Sequence, residues 1–101
     1  MIDADISLAN LRDAHLSADL STANLSGSDL SRADLYSASL ENALLIGADL
    51  SYAKLEAAIL EGANFSNANL TGATDANLNS AILYNTTMPD GNIINSYVRD
   101  K

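Results

Sequence analysis

Residues 18–50 read ADLSTANLSGSDLSRADLYSASLENALLIGADL, with a leucine at every fifth position: Leu20, Leu25, Leu30, Leu35, Leu40, Leu45 and Leu50. The series continues through Leu55, Leu60, Phe65 and Leu70. Two residues before each stands a small side chain, from Ala18, Ala23 and Ser28 through to Ala58, Ala63 and Ala68. Eleven consecutive units of five carry this pattern without a gap. A helix turns about 100° per residue, so a step of five moves a side chain by about 140° net. The leucines would scatter around the cylinder and leave no buried stripe. In an extended chain, positions two apart share a face, so each small residue and its leucine point inward together. The next small residue lies three beyond the leucine, which is the wrong parity for a continuing strand. The chain must therefore turn in every unit, and the period predicts a β-solenoid.

The composition points the other way until the period is read. The 101 residues are 48% hydrophobic, with one Phe and a single Val (Val98), so most of the apolar content is Ala and Leu. Those are good helix formers, but here they occupy two fixed inward places. Thirteen acidic against five basic residues give a net charge of −8, which excludes a phosphate-backbone binder of the ordinary basic kind. The absence of cysteine removes disulfides, zinc–thiolate sites and thiol chemistry together. At this length one domain is the ceiling. The longest apolar run, Ala43–Ile46, is far below the roughly 20 residues of a membrane span, and no signal peptide opens the sequence. A cytoplasmic protein with no membrane contact is the default expectation.

The register shifts twice. Before Leu20 the centres are Met1, Ile6, Leu11 and Leu16, so one residue is missing between Leu16 and Leu20 and a tightened corner is expected there. After Leu70 the centres are Leu78, Leu83 and Met88. A continuing period would put Asp75 in the core, where an unpaired carboxylate is prohibitive. Ala73-Thr74-Asp75 are accordingly expected to form a corner bulge.

The units Ala18-Asp19-Leu20-Ser21-Thr22, Ala33-Asp34-Leu35-Tyr36-Ser37 and Ala48-Asp49-Leu50-Ser51-Tyr52 resemble the A-(D/N)-L-x-x motif of the pentapeptide-repeat family. That resemblance implies an all-β fold, a right-handed quadrilateral β-helix with four units per coil. The 18 centres over residues 1–88 then make about four and a half coils. The solenoid is expected over 1–90 and a capping segment over 91–101. Met88-Pro89-Asp90-Gly91 breaks the repeat, and Ile93, Ile94, Tyr97 and Val98 are expected to fold back over the last coil. At the other end Met1 already stands at a centre, and an uncovered coil is a sticky edge. This raises an end-to-end homodimer through the N-terminal coil, or a longer natural chain.

No catalytic constellation emerges, and the expected protein is not an enzyme and takes no cofactor or metal. His15 is the only histidine and falls at an outward position. Asp29 and Asp49 stack in one column of oxygen donors, but the G-G-x-G-x-D spacing of calcium solenoids is missing. Ice-binding solenoids carry regular Thr ladders, and here only Thr71 and Thr87 occupy suitable places. What stands out is a set of apolar residues at outward positions: Leu44, Ile46 and Ile59, with Ile82 and Tyr84 joining Ile59 if the bulge rephases the last coil that way. These five are the candidate contact patch for an unidentified protein partner. The expected function is thus a non-enzymatic interaction or scaffold module. The alternative is a DNA mimic of the kind that binds type II topoisomerases and confers quinolone resistance. The sign of the charge fits it. The length does not: four and a half coils at ~4.8 Å give ~22 Å, which matches only about six base pairs.

Overall fold

The computed structural model describes residues 4–94. Its organising feature is a set of parallel bridges between residues 20 apart, such as Asn24 with Leu44, Leu44 with Asn64, and Asp29 with Asp49. Four units of five make each coil, and successive coils stack in parallel register. The inward columns follow from the bridges. Leu25, Leu45, Phe65 and Leu83 form one, and all four are fully buried. The small residues line the same bore: Ala23, Ala33, Ala43 and Ala63 are also fully buried. The result is one continuous apolar core, closed by Ile6, Leu11 and Leu16 towards one end and by Met88 and Ile94 towards the other.

Regular strands are scarce for a physical reason. Each side of the coil is only three extended residues long before the next turn, so it bridges its neighbours at one residue. Among the described residues only β1 (Thr86–Thr87) and β2 (Ile93–Ile94) count as strands, and they pair antiparallel. Ile94 packs on the core from this hairpin, whereas Ile93 stays exposed. Tyr97 and Val98 lie outside the described residues, as does Met1.

One unit explains the motif. In Ala23–Gly27, the Ala23 N–H donates to Leu20 O across the corner (3.0 Å) and Asn24 N–H donates to Ala4 O (2.8 Å). Leu25 N–H and Gly27 N–H donate to Leu44 O and Ile46 O in the next coil (2.6 and 2.9 Å). Only the Ser26 N–H has no place in this ladder, and it donates to Asn24 Oδ1 (3.1 Å). The Asp or Asn of the motif is therefore the acceptor for the one amide that the coil leaves over. Asp19, Asp29, Asp49, Asn64 and Asn69 do the same for the residue two further on, and each also accepts from the Ser or Thr hydroxyl there at 2.6–2.7 Å. Since a buried or half-buried N–H must be paired, the motif is a hydrogen-bond solution rather than a functional signature.

The corners hold the third residue of each turn at positive φ, as type II turns require. Among the described residues eleven other than glycine adopt it, Thr22 (58°), Arg32 (58°) and Tyr52 (60°) included. Each costs roughly 1–2 kcal/mol relative to ordinary backbone, a strain the surrounding ladder overrides. At one corner column the Tyr52 ring sits where a Cβ on Gly72 would have to go.

Both register shifts are located. Bridges before the first span 19 residues, as in His15 with Asp34, and those after it span 20, as in Asp19 with Ser39. The missing residue is absorbed by a turn one residue tighter than the others: Ala18 N–H donates to Leu16 O (2.7 Å), an i to i+2 bond. This tightening carries Ala18 out to solvent, so it is not one of the inward small residues. The second shift corrects the expected bulge over 73–75. Ala73 stays in the core and Thr74 bridges Lys54, so neither is extra. Asp75 is expelled with φ 51° and the coil is instead shortened, so that later bridges span 18 residues, Asn64 with Ile82 and Asn69 with Thr87. Excluding the carboxylate from the bore interrupts the ladder: among the described residues no bridge joins Ile59 to the coil above it.

Two buried hydroxyls are paired with the backbone of the coil below. Ser28 Oγ donates to Ile6 O (2.8 Å) and Thr86 Oγ1 donates to Phe65 O (2.7 Å). Among the described residues no buried side-chain nitrogen or oxygen is left without a partner.

Candidate interaction surface

The bridges sort the outward side chains into four faces, and the faces differ chiefly in charge. One carries the column Asn10, Asp29, Asp49, Asn69, with Arg12 3.9 Å from Asp29. The next carries His15, Asp34, Lys54 and Thr74, with His15 3.5 Å from Asp34. A third carries Asp19, Ser39 and Ile59, and its second column holds Glu41 and Glu61. The fourth has the bridged column Asp5, Asn24, Leu44, Asn64, Ile82, and beside it Ser7, Ser26, Ile46, Ser66 and Tyr84. Apart from Asp5 in the first described coil, this Leu44 face holds no charged residue in either column.

Within that face the coils are not equivalent. Asn24/Ser26 and Asn64/Ser66 follow the hydrogen-bonding rule of the repeat. The coil between them places Leu44 and Ile46 at the same positions, 40% and 39% exposed. Leu44 has no side-chain acceptor, and the Ile46 N–H reaches down to Ser26 Oγ instead (3.2 Å). The last coil repeats the substitution with Ile82, half-buried, and Tyr84, 45% exposed. Nothing in the ladder asks for apolar residues at these places, and the local rule is broken to hold them.

Four residues of the expected patch thus share one face, and the fifth does not. Ile59 is exposed on the neighbouring face, stacked on Ser39, and Ile82 and Tyr84 stand above Leu44 and Ile46 rather than beside Ile59. The correction follows from the shortened coil: its 18-residue step puts Ile82 directly over Asn64. Ile59 instead borders a shallow depression of about 250 Å³ with Ala58, Glu61, Asn77, Asn79 and Ser80, where the ladder is interrupted. Sequence reading named the apolar residues but missed that their face is stripped of charge. Aligning the chain at 20-residue offsets would have shown it.

The other faces are tuned by their own hydrogen bonds. The Ser partners of Asp5, Asp19 and Asp29 hold those carboxyls below the usual range, through the hydroxyl first and the backbone N–H second. Asp34 is lowered by the Tyr36 N–H, and Asp13 by the Arg32 guanidinium at 3.1 Å. A carboxyl whose folded pKa is depressed contributes stability that is present above the unfolded value, near 3.9, and lost as pH falls through the folded value. Thermal melts are therefore expected to show an acid limb beginning near pH ~4. The doubly substituted Asp19→Asn, Asp29→Asn protein keeps both acceptors without the protons, so its limb should be shallower. An unchanged limb would remove these carboxyls as its cause. Among the described residues no three His, Cys, Asp or Glu gather in one place, and no helix is long and apolar enough to cross a membrane.

Comparison with known proteins agrees with the geometry. A family model described as pentapeptide repeats matches residues 17–51 and 48–92 in eight copies. No curated protein matches. Among solved structures, the chain is 44% identical to alr5209, a pentapeptide repeat protein from Nostoc Pcc 7120, over 70% of this chain and 60% of that one, with a TM-score of 0.69. It is 40% identical to the pentapeptide repeat protein Rfr23 from the cyanobacterium Cyanothece 51142, over 96% of this chain and 60% of that one (TM-score 0.67). It is 46% identical to HetL of Nostoc sp. strain PCC 7120, described as involved in heterocyst differentiation regulation, over 90% of this chain and 39% of that one (TM-score 0.52). The chain spans about 60% of the length of the first two and less of the third.

Proposed function

Since the chain belongs to the pentapeptide-repeat family, we propose that it is a non-enzymatic interaction module, which binds a protein partner through its Leu44 face. The solenoid is read as right-handed with about four and a half coils, the hand coming from the family's fold. One observation carries the functional reading: on a chain of net charge −8, one face is almost free of charge and bears apolar pairs that break the repeat's own rule. Depletion of charge at the centre of a patch, with a more apolar core in which aromatic residues such as Tyr are enriched, is the compositional mark of protein interfaces. Isolated exposed apolars are ordinary, but Leu44/Ile46 and Ile82/Tyr84 are paired on alternate coils of a single face.

The test uses the repeat itself. Leu44→Asn with Ile46→Ser gives that coil the outward residues of the coils below and above it, and Asn offers the residue-46 amide the acceptor usual in the repeat in place of Ser26 Oγ. The variant should fold at least as stably as the parent. Affinity capture with the parent as bait is expected to retain a protein that the double variant loses. Identical captures from both would end the assignment of this face.

DNA mimicry is the weaker reading. A duplex presents one charge per ~1.7 Å of axis, so the ~22 Å of four and a half coils would need roughly 13 charges against a net −8. The carboxylate columns are also broken by Asn10, Asn69 and Lys54, and Asp13 is paired with Arg32.

A further inference from the structure

We infer that the partner of the Leu44 face is a second copy of this chain, paired face to face about a two-fold axis lying in the interface; the inference rests on the reading of that face given above.

The argument begins with charge. Two molecules of net −8 repel at every approach except where charge is missing from the surface. The other three faces carry Asp29 and Asp49, Asp34 and Glu56, or Asp19, Glu41 and Glu61, so they suit a basic partner or none. Apart from Asp5 in the first described coil, the Leu44 face neither repels nor attracts by charge. It offers a like-charged copy the same neutral surface in return, which is the self-complementarity an isologous contact needs. Its pattern is also self-matching. Over three of its five coils, apolar Leu44/Ile46, polar Asn64/Ser66 and apolar Ile82/Tyr84 read the same in either direction, with Asp5/Ser7 and Asn24/Ser26 lying below the matched stretch. A two-fold axis therefore sets apolar coils against apolar coils. It brings the polar coil against itself, where Asn64 has used Oδ1 on the Ser66 N–H and Oγ and retains its Nδ2 donors.

The size of the contact fixes its strength. An axis through the Asn64 coil overlaps about three coils, ~14 Å along the solenoid, and no face is wider than 24 Å, so the contact covers at most about 350 Å² per copy. A total of ~700 Å² lies below the range of stable interfaces and in that of weak, transient ones. The pairing is accordingly weak and concentration-dependent, and it should tighten with salt, because added ions screen the repulsion of the flanking acidic faces.

Sedimentation equilibrium of the whole chain across micromolar to millimolar concentration tests this. The average mass is expected to climb from 10.6 kDa towards twice that value, and to climb further in 0.5 M NaCl than in ~0.05 M. Leu44→Asn with Ile46→Ser should hold the mass at 10.6 kDa throughout. Because the parent has no cysteine, single-cysteine variants give a second readout. Ser66→Cys, beside the axis, should cross-link at least tenfold faster under mild oxidation than Ser37→Cys on another face. A parent that stays monomeric at millimolar concentration, a double variant that associates like the parent, or equal cross-linking rates would each overturn self-pairing. A monomeric parent whose double variant still loses a captured foreign protein would leave the interaction face standing and remove only the identity of its partner.

Discussion

Replacing Phe65 by alanine is expected to cost about 3–5 kcal/mol, a large part of the ~5–15 kcal/mol that holds a domain of this size folded. Phe65 is the largest fully buried side chain, and it stands in a column between Leu45 and Leu83, both also fully buried. The cost of such a truncation depends on whether the walls can close on the space left behind. Here they cannot. The coils on either side are pinned by Leu45 N–H to Asn64 O (2.8 Å), Phe65 N–H to Ile82 O (2.9 Å) and Asn67 N–H to Tyr84 O (2.9 Å). Collapse would break bonds that set the spacing of the solenoid. Phe65→Leu restores the residue this column carries at 25, 45 and 83, so it should cost less than about 1.5 kcal/mol. Urea unfolding should move the midpoint with little change of slope for both variants. A Phe65→Ala loss under ~1 kcal/mol would mean the coils can close on the space left behind.

The columns were legible because burial and period coincide: every leucine from Leu20 to Leu70 in the five-residue series is buried where the repeat places it, as is Phe65. The tightened corner before Leu20 was legible too, since a missing residue leaves a count. The nature of the second shift was not. Sequence shows that Asp75 cannot be inward, yet inserting three residues or dropping two from a coil both satisfy that exclusion. Only the bridge of Thr74 to Lys54 decides for the shorter coil. The corners were opaque for another reason. Positive φ is normally signalled by glycine, but here Leu8, Thr22, Arg32 and Tyr52 hold it because their amides are drawn into the ladder with the next coil. The neutral, apolar face was half legible. Apolar residues at outward positions are visible one unit at a time, whereas the loss of charge from a face exists only once coils are stacked. Ile82 and Tyr84 could not be assigned until the second shift was resolved.

The way the chain disposes of Asp75 bears on what Leu50→Asp should do. Asp75 follows the Leu55 column, and the fold answers by turning it outward and giving up the bridge above Ile59. That escape is open near an end, where the coil beyond can be reset by two residues. Leu50 lies in the middle, bonded upward through its own N–H to Asn69 O (2.7 Å) and downward through Leu30 N–H to Asp49 O (2.7 Å). Turning outward there would unpair coils on both sides. The introduced carboxyl must instead stay in an apolar bore with no partner, which is expected to cost at least about 3–5 kcal/mol at neutral pH. Its pH dependence should then run against that of the parent. Burial raises the pKa of an unpaired carboxyl, so the penalty belongs to the charged form and shrinks as the group is protonated. Between neutrality and pH ~5 the variant should gain stability relative to the parent, before the acid limb set by Asp19 and Asp29 takes both down. Leu50→Asn has no proton to gain, and its deficit should stay constant over that range. A Leu50→Asp deficit that is equally flat would show that the side chain had reached solvent, and that a central coil can yield as the one at Asp75 does.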